Sequence, residues 1–362
     1  MFFCRFFNVL SGRLNVTAYT IGSLIVVFFG QLYILFLIDV FHYKFFQDTT
    51  VIILSDSGGF GSGSFSSARL LLNPYFEILE FLGVDLDSYK KYAGIDFNFS
   101  NIFFCLINSL IYFQFCRFFN GRRTLLSVLV VFYTYLLYVP YIGVPGKETN
   151  TLLVGCLMFW SFFVKQKKAI FIPVGLVGLY AAMGRYYYFV FLLSYFFIVY
   201  IKPGKGLYFL FYLVGSMAFI YLLGFDEVKG VLLLARPDIE DITNSFIKFP
   251  LEDVSASSIY LNRLYLFFVM LFPWQLLFNP VYWPYFIFGV WGTILIFFGF
   301  FSQSDSVVFR CSAVIISFYL SQSLFEPDFG SVFRHRSFLL PFYVYMSTWL
   351  IYKTVRRSNY ES

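Results

Sequence analysis

The chain has 362 residues, of which 59% are hydrophobic, 24% aromatic and only 13% charged. Soluble domains average about 25% charged residues, so a soluble fold of this composition would expose large apolar patches and aggregate. These values exclude a soluble enzyme, a secreted disulfide scaffold and a disordered chain. The net charge of +6 is not gathered into the basic stripe that nucleic acid requires. The composition therefore predicts an integral membrane protein in contact with membrane lipid.

Long apolar runs recur along the chain. About 20 apolar residues cross a bilayer as an α-helix, and a helix satisfies its own backbone polar groups where water is absent. We therefore predict an all-α, polytopic integral membrane protein with about ten transmembrane helices. The predicted spans are residues 16–38, 99–116, 124–143, 150–164, 169–184, 186–201, 207–224, 285–301, 308–325 and 338–352.

One further apolar stretch, at about 264–280, is predicted to be re-entrant or interfacial. Pro273 lies inside it and would break the helix where lipid cannot replace the lost hydrogen bond. If the stretch does not cross, both termini are cytoplasmic. Fourteen of the 26 basic residues but only two of the 20 acidic residues then lie inside. This asymmetry is what the positive-inside rule requires.

Three outer segments stand out in this topology, as loops of a single polytopic membrane domain over 1–362. The first loop, 39–98, contains a predicted amphipathic helix at 74–82 on the outer membrane surface. Asn73 is suited to cap that helix, Pro74 to begin it and Gly83 to end it. The other two segments are the large loop 225–284 and the loop 325–337, which contains an Arg-His-Arg sequence.

Cations on the outer side call for a counter-charge, because the positive-inside rule disfavours them there. Guanidinium groups match phosphate oxygens in a bidentate geometry, so a lipid-linked pyrophosphate is one predicted ligand. Pairing with nearby acids or lipid head groups is the other interpretation. The candidate anion-binding residues are Lys147, Arg185, Arg236, Arg263, Arg334 and Arg336.

Several groups could act as a general base on a sugar hydroxyl. The cations flanking His335 predict a lowered pKa and a neutral imidazole that can accept a proton. Glu148 and Asp56 are the competing carboxylates, whereas Glu326 and Asp328 could bind sugar hydroxyls or hold Arg334 and Arg336. Neither a metal-ligand spacing nor a nucleotide fingerprint occurs, so the predicted reaction is metal-independent and uses no cofactor.

These features resemble the bacterial O-antigen and capsule repeat-unit polymerases of the Wzy type, and related lipid-dependent glycosyltransferases of the C-type fold. The likeness lies in the span count, the large outer loop in the second half of the chain, and short motifs. These motifs are Gly146-Lys147-Glu148, Arg185 at the start of a span, and Gly330-Ser331 followed by Arg334-His335-Arg336.

The resemblance implies an enzyme of the bacterial inner membrane whose active site faces the periplasm. It would transfer a growing glycan from undecaprenyl pyrophosphate onto a new lipid-linked repeat unit. Its partners would be that lipid-linked oligosaccharide, and a flippase and a chain-length regulator of the same pathway. In this interpretation Arg185, Arg334 and Arg336 hold the pyrophosphate, and Arg236 or Arg263 completes the clamp. His335 is the general base, with Glu148 and Asp56 in reserve.

The residues are also compatible with two other functions. A C-type glycosyltransferase using an undecaprenyl-phosphate sugar to decorate the glycan would have similar loops, with Asp56 as its base. A lipid-linked oligosaccharide flippase is the second alternative. It is disfavoured because the charges collect at the outer ends of the spans and not along a path through the membrane midplane.

Overall fold

The structure is a computed structural model. It describes residues 15–36, 52, 64–83, 103, 105–110, 124–142, 146–164, 170–182, 187–200, 247, 250–251, 256–301, 306–326 and 329–361. Within these ranges the secondary structure is helical, with no β-strand, which confirms the predicted all-α class. The chain forms two compact units, one made of residues 1–185 and 336–362 and the other of residues 186–335.

The described part of the first unit contains six helices from the first half of the chain and the C-terminal helix. They are α1 (Val16–Phe36), α2 (Ser64–Phe81), α3 (Leu125–Leu136), α4 (Val139–Ile142), α5 (Lys147–Ser161), α6 (Phe171–Ala182) and α12 (Leu340–Glu361), with a 3₁₀ turn at Arg336–Leu339 before α12. Helix α5 is central because it packs against α2, α4, α6, the 3₁₀ turn and α12. Phe159 of α5 supplies part of this core. The centroid of its ring lies 5.7 Å from that of Phe342 and 5.3 Å from that of Tyr345.

The second unit is built around one deeply buried helix. Its helices are α7 (Tyr187–Tyr200), α8 (Ala256–Leu271), α9 (Trp283–Phe301), α10 (Ser306–Phe325) and α11 (Phe329–His335). Helix α10 packs against α7, α8 and α9. Several buried serines let neighbouring helices approach it closely. One of these, Ser321, donates a hydrogen bond to the backbone carbonyl of Tyr187 on α7.

Two described helices are long and apolar enough to cross a membrane, Trp283–Phe300 and Ser306–Phe325. They coincide with the predicted spans at 285–301 and 308–325. Shorter apolar helices lie within the predicted spans beginning at 16, 169 and 186. The predicted span 207–224 and most of 99–116 lie outside the described residues. The full set of about ten spans therefore stays a prediction.

The first-loop helix begins earlier than its sequence signals indicate. Helix α2 starts at Ser64, so Asn73 does not cap it and Pro74 lies inside it. The buried face explains the difference, because Ala68 and Leu72 continue the apolar stripe N-terminal to the proline. This burial outweighs the hydrogen bond that proline cannot donate.

The predicted end of that helix is confirmed. Gly83 adopts a φ of 81° and lies just beyond the last helical residue, Phe81. Its N–H donates to the carbonyl of Glu80 at 2.9 Å. A positive φ of this kind favours glycine, because a side chain would meet the backbone there. That this helix lies on the outer membrane surface stays a prediction.

The stretch predicted to be re-entrant or interfacial is not one continuous helix. Helix α8 ends at Leu271, and the chain continues through 3₁₀ turns at Trp274–Phe278 and Pro280–Tyr282. The Pro273 ring packs where Gly289 of α9 leaves room, since a Cβ at Gly289 would lie 2.8 Å from the proline Cγ. The α-helix therefore stops close to Pro273, where the sequence predicts a break. The depth of this segment in a membrane stays a prediction.

Candidate functional site: a buried carboxylate and imidazole

A carboxylate and an imidazole meet inside the second unit. Glu326 follows the last residue of α10, and His335 ends α11. The His335 Nδ1 lies 2.6 Å from the Glu326 Oε1, and the two residues are 4% and 7% exposed respectively. An ionised carboxylate can only accept a hydrogen bond. Nδ1 therefore donates to it, and Nε2 is the ring nitrogen that can take up a proton.

A buried arginine completes this cluster. Arg263 of α8 is 8% exposed, and its Nη1 donates to the backbone carbonyl of Glu326 at 3.4 Å. Burial lowers the pKa of Arg263 to about 10, and the charge of Glu326 opposes that shift. The guanidinium is still charged at neutral pH, so it favours the ionised form of Glu326.

Two residues that sequence reasoning did not assign to the site hold the pair in place. The Tyr187 ring stacks on the His335 ring, with centroids 5.8 Å apart and an interplanar angle of 29°. The Gln322 Nε2 donates to the Val332 carbonyl at 2.8 Å. This bond ties α10 to α11, the helices that lead to Glu326 and His335. The sequence does carry a signal for Gln322, because a glutamine within an apolar span has an amide that needs a partner.

Replacing Arg263 by methionine should destabilise the second unit. The methionine keeps the apolar stem but removes the cation that faces Glu326, at an expected cost of about 2 kcal/mol. Thermal unfolding of the purified protein in maltoside detergent measures this loss. The matched control is Arg310→Met, because Arg310 is exposed on α10 and its loss should change stability by less than about 0.5 kcal/mol. Equal melting temperatures for both variants would contradict the assigned role of Arg263.

The first unit holds a separate group of buried polar residues. Lys147 and Glu148 form the first turn of α5 and are 4% and 3% exposed. Arg336 is fully buried at the start of the 3₁₀ turn that packs against α5. The Thr151 and Ser337 hydroxyls lie 2.7 Å apart between these elements. Ionisable groups buried in such an apolar chain are functional candidates.

The outcome for the predicted residues is mixed. Glu326 is predicted to hold Arg334 and Arg336 or to bind sugar, whereas the structure brings it to His335 and Arg263. The neutral state predicted for His335 from its flanking cations stays a prediction. Arg334 lies on α11 and is partly buried. The predicted site residues outside the described part of the chain are Asp56, Arg185, Arg236 and Asp328.

No group of three or more His, Cys, Asp or Glu side chains in the described ranges could hold a metal ion. The fold and the site together define a helical protein with two candidate membrane spans and a buried carboxylate–imidazole pair. Comparison with known proteins adds no relative, because no family model, curated protein or solved structure matches the chain.

Proposed function

We propose that this chain is a membrane glycosyltransferase of the O-antigen polymerase type. It would transfer a growing undecaprenyl-pyrophosphate-linked glycan onto a new lipid-linked repeat unit, at the periplasmic face of the bacterial inner membrane. The observation that supports this most is the 2.6 Å contact between His335 and Glu326. A carboxylate that orients an imidazole is the arrangement that general-base catalysis uses.

The proposed reaction uses His335 as the base. Nε2 takes the proton of an acceptor sugar hydroxyl as its oxygen forms a bond to the anomeric carbon of the donor glycan. The bond between that carbon and the pyrophosphate oxygen breaks, and the pyrophosphate leaves with the electron pair. Glu326 stabilises the imidazolium that forms, and Arg263 keeps Glu326 ionised. No metal is needed if cations neutralise the leaving group, and Arg334 beside His335 is the proposed group for that task.

The topology belongs to the same proposal. About ten spans with both termini in the cytoplasm would put Glu326, His335 and the end of α10 at the outer side. Two helices are long enough to cross, Trp283–Phe300 and Ser306–Phe325. This topology puts the short connection between them on the cytoplasmic side. The uneven distribution of basic residues supports this orientation.

Deletion of the gene in its host, followed by a gel of the surface lipopolysaccharide, tests the proposal. We expect the ladder of glycan lengths to collapse to core plus one repeat unit, and the wild-type gene to restore it. An intact ladder with altered sugar composition would overturn the proposal in favour of a decorating glycosyltransferase. A gel without even the single repeat would overturn it in favour of export or an earlier step.

A further inference from the structure

The first turn of α5 has the features of an anion site. The residue before it, Gly146, is extended and has no side chain, and no side-chain hydrogen bond from Gly146 caps the helix. The first N–H groups of a helix have no partner within the helix, and they carry the positive end of its dipole. A phosphate or carboxylate is the usual group that fills such a position.

A buried amide at the same turn provides a second, independent observation. Asn150 is 7% exposed, and its Nδ2 has no hydrogen-bond partner among the described residues. Side chains on a helix lean toward its N-terminus, so this donor leans back toward the first turn. A buried donor without a partner is costly, and a native structure rarely tolerates one without a ligand or water.

The 3₁₀ turn at Arg336–Leu339 adds a cation to the same unit. Its contacts with α5 include Gly155 opposite Phe338 and Thr151 opposite Ser337. Arg336 begins this turn and is fully buried, and Lys147 in the first turn of α5 is 4% exposed. A guanidinium and an ammonium both suit the oxygens of a phosphoryl group.

We propose that the first turn of α5, with Lys147, Asn150 and Arg336, binds a phosphoryl group. The three side chains belong to one compact unit, and they supply an ammonium, an amide N–H and a guanidinium. Together with the backbone N–H groups they can surround the oxygens of a phosphate or diphosphate. The assignment of this group to the lipid-linked donor rests on the proposed function. Phosphate binding itself does not.

The test is a thermal shift of the full chain, purified in maltoside detergent, with inorganic pyrophosphate as the probe. Wild-type protein should be stabilised by pyrophosphate more than by sulfate at equal ionic strength. Asn150→Leu should weaken pyrophosphate binding about tenfold or more, because it removes a hydrogen bond to a charged group. The control is Ser317→Ala, which removes a buried hydroxyl with no partner among the described residues, on α10 of the other unit, and should leave binding unchanged.

A second variant keeps the test decisive if Asn150→Leu does not fold. Glu148→Gln removes the negative charge at the turn, so it should tighten pyrophosphate binding. Wild-type protein that pyrophosphate does not stabilise, or binding that neither variant changes, would overturn the proposal. The shift should persist in His335→Gln, which separates failure of this site from failure of the proposed reaction.

Three probes identify the source of the phosphoryl group. A stronger shift with farnesyl pyrophosphate than with inorganic pyrophosphate supports a lipid-linked diphosphate. Equal shifts with the two support a free anion at the same site. Competition by phosphatidylglycerol supports a phospholipid head group. Absence of all three shifts contradicts phosphoryl binding.

Discussion

Replacing His335 by glutamine should stop glycan chain extension while the protein stays in the membrane. Glutamine can still hydrogen-bond to Glu326, but it cannot take a proton from the acceptor hydroxyl. A positioned general base contributes about 10²–10⁴-fold to a rate, so the extension rate should fall by that factor. The measurement is the rate of ladder formation from lipid-linked repeat units in isolated membranes, normalised to the amount of protein.

The chain offers a matched control for this variant. It has two histidines, and His42 lies outside the described residues, in a part of the first loop to which no role is assigned. His42→Gln should leave chain extension unchanged. If His335→Gln lowers protein abundance but leaves the rate per molecule intact, His335 is a structural residue and the proposed base is wrong.

Chemical rescue separates a base from a packing residue more sharply. His335→Ala leaves a gap under the Tyr187 ring, which stacks on the imidazole in the native protein. Added imidazoles should fill that gap and restore extension, and the rescued rate should rise with their basicity. A rescue that follows only the size of the added ring would indicate repacking and contradict base catalysis.

The carboxylate should matter less than the imidazole, and in a different way. Glu326→Gln keeps an oxygen that can accept from His335 Nδ1, so the ring stays oriented. The variant loses the charge that stabilises the imidazolium, and we expect a smaller loss of rate than in His335→Gln. A loss as large as that of His335→Gln would show that Glu326 itself contacts the substrate.

Much of the helical framework could be predicted because apolar runs of nearly span length have few alternatives. The predicted spans at 285–301 and 308–325 correspond closely to α9 and α10. Hydropathy puts the start of the span that contains α5 at residue 150, since Lys147 and Glu148 are charged. The structure buries both, and their burial depends on a 3₁₀ turn that lies far along the chain, at Arg336–Leu339. Local hydropathy carries no information about such a contact.

The site was predictable residue by residue but not as a set of contacts. The sequence identifies the three residues individually: His335 as a candidate base, Glu326 as a residue that binds sugar or holds arginines, and Arg263 as a cation for an anionic ligand. Which of them meet depends on how α8, α10 and α11 pack, and a sequence separation of nine or 63 positions does not determine that. Tyr187 and Gln322 are not assigned to the site from sequence, because an aromatic or amide side chain in a membrane helix is consistent with several roles.

Replacing Gly155 by alanine should disrupt the first unit, although it adds only one methyl group. A Cβ at Gly155 would overlap the carbonyl oxygen of Phe338 and lie 3.0 Å from its carbonyl carbon. The obstacle is backbone, so no side-chain rotation relieves it, and the 3₁₀ turn at Arg336–Leu339 has to move away from α5. Overpacking of this kind costs about 3 kcal/mol or more.

The measurement is thermal unfolding in maltoside detergent, and the control is another helical glycine of the same unit. A Cβ at Gly178 of α6 would have no described atom within 4 Å, so Gly178→Ala should stabilise its helix by about 0.5–1 kcal/mol. The two substitutions are chemically identical and differ only in what the new methyl group meets. Because the displaced turn begins with Arg336, Gly155→Ala should also weaken pyrophosphate binding at α5. An unchanged melting temperature in Gly155→Ala would contradict the close approach of α5 and the turn.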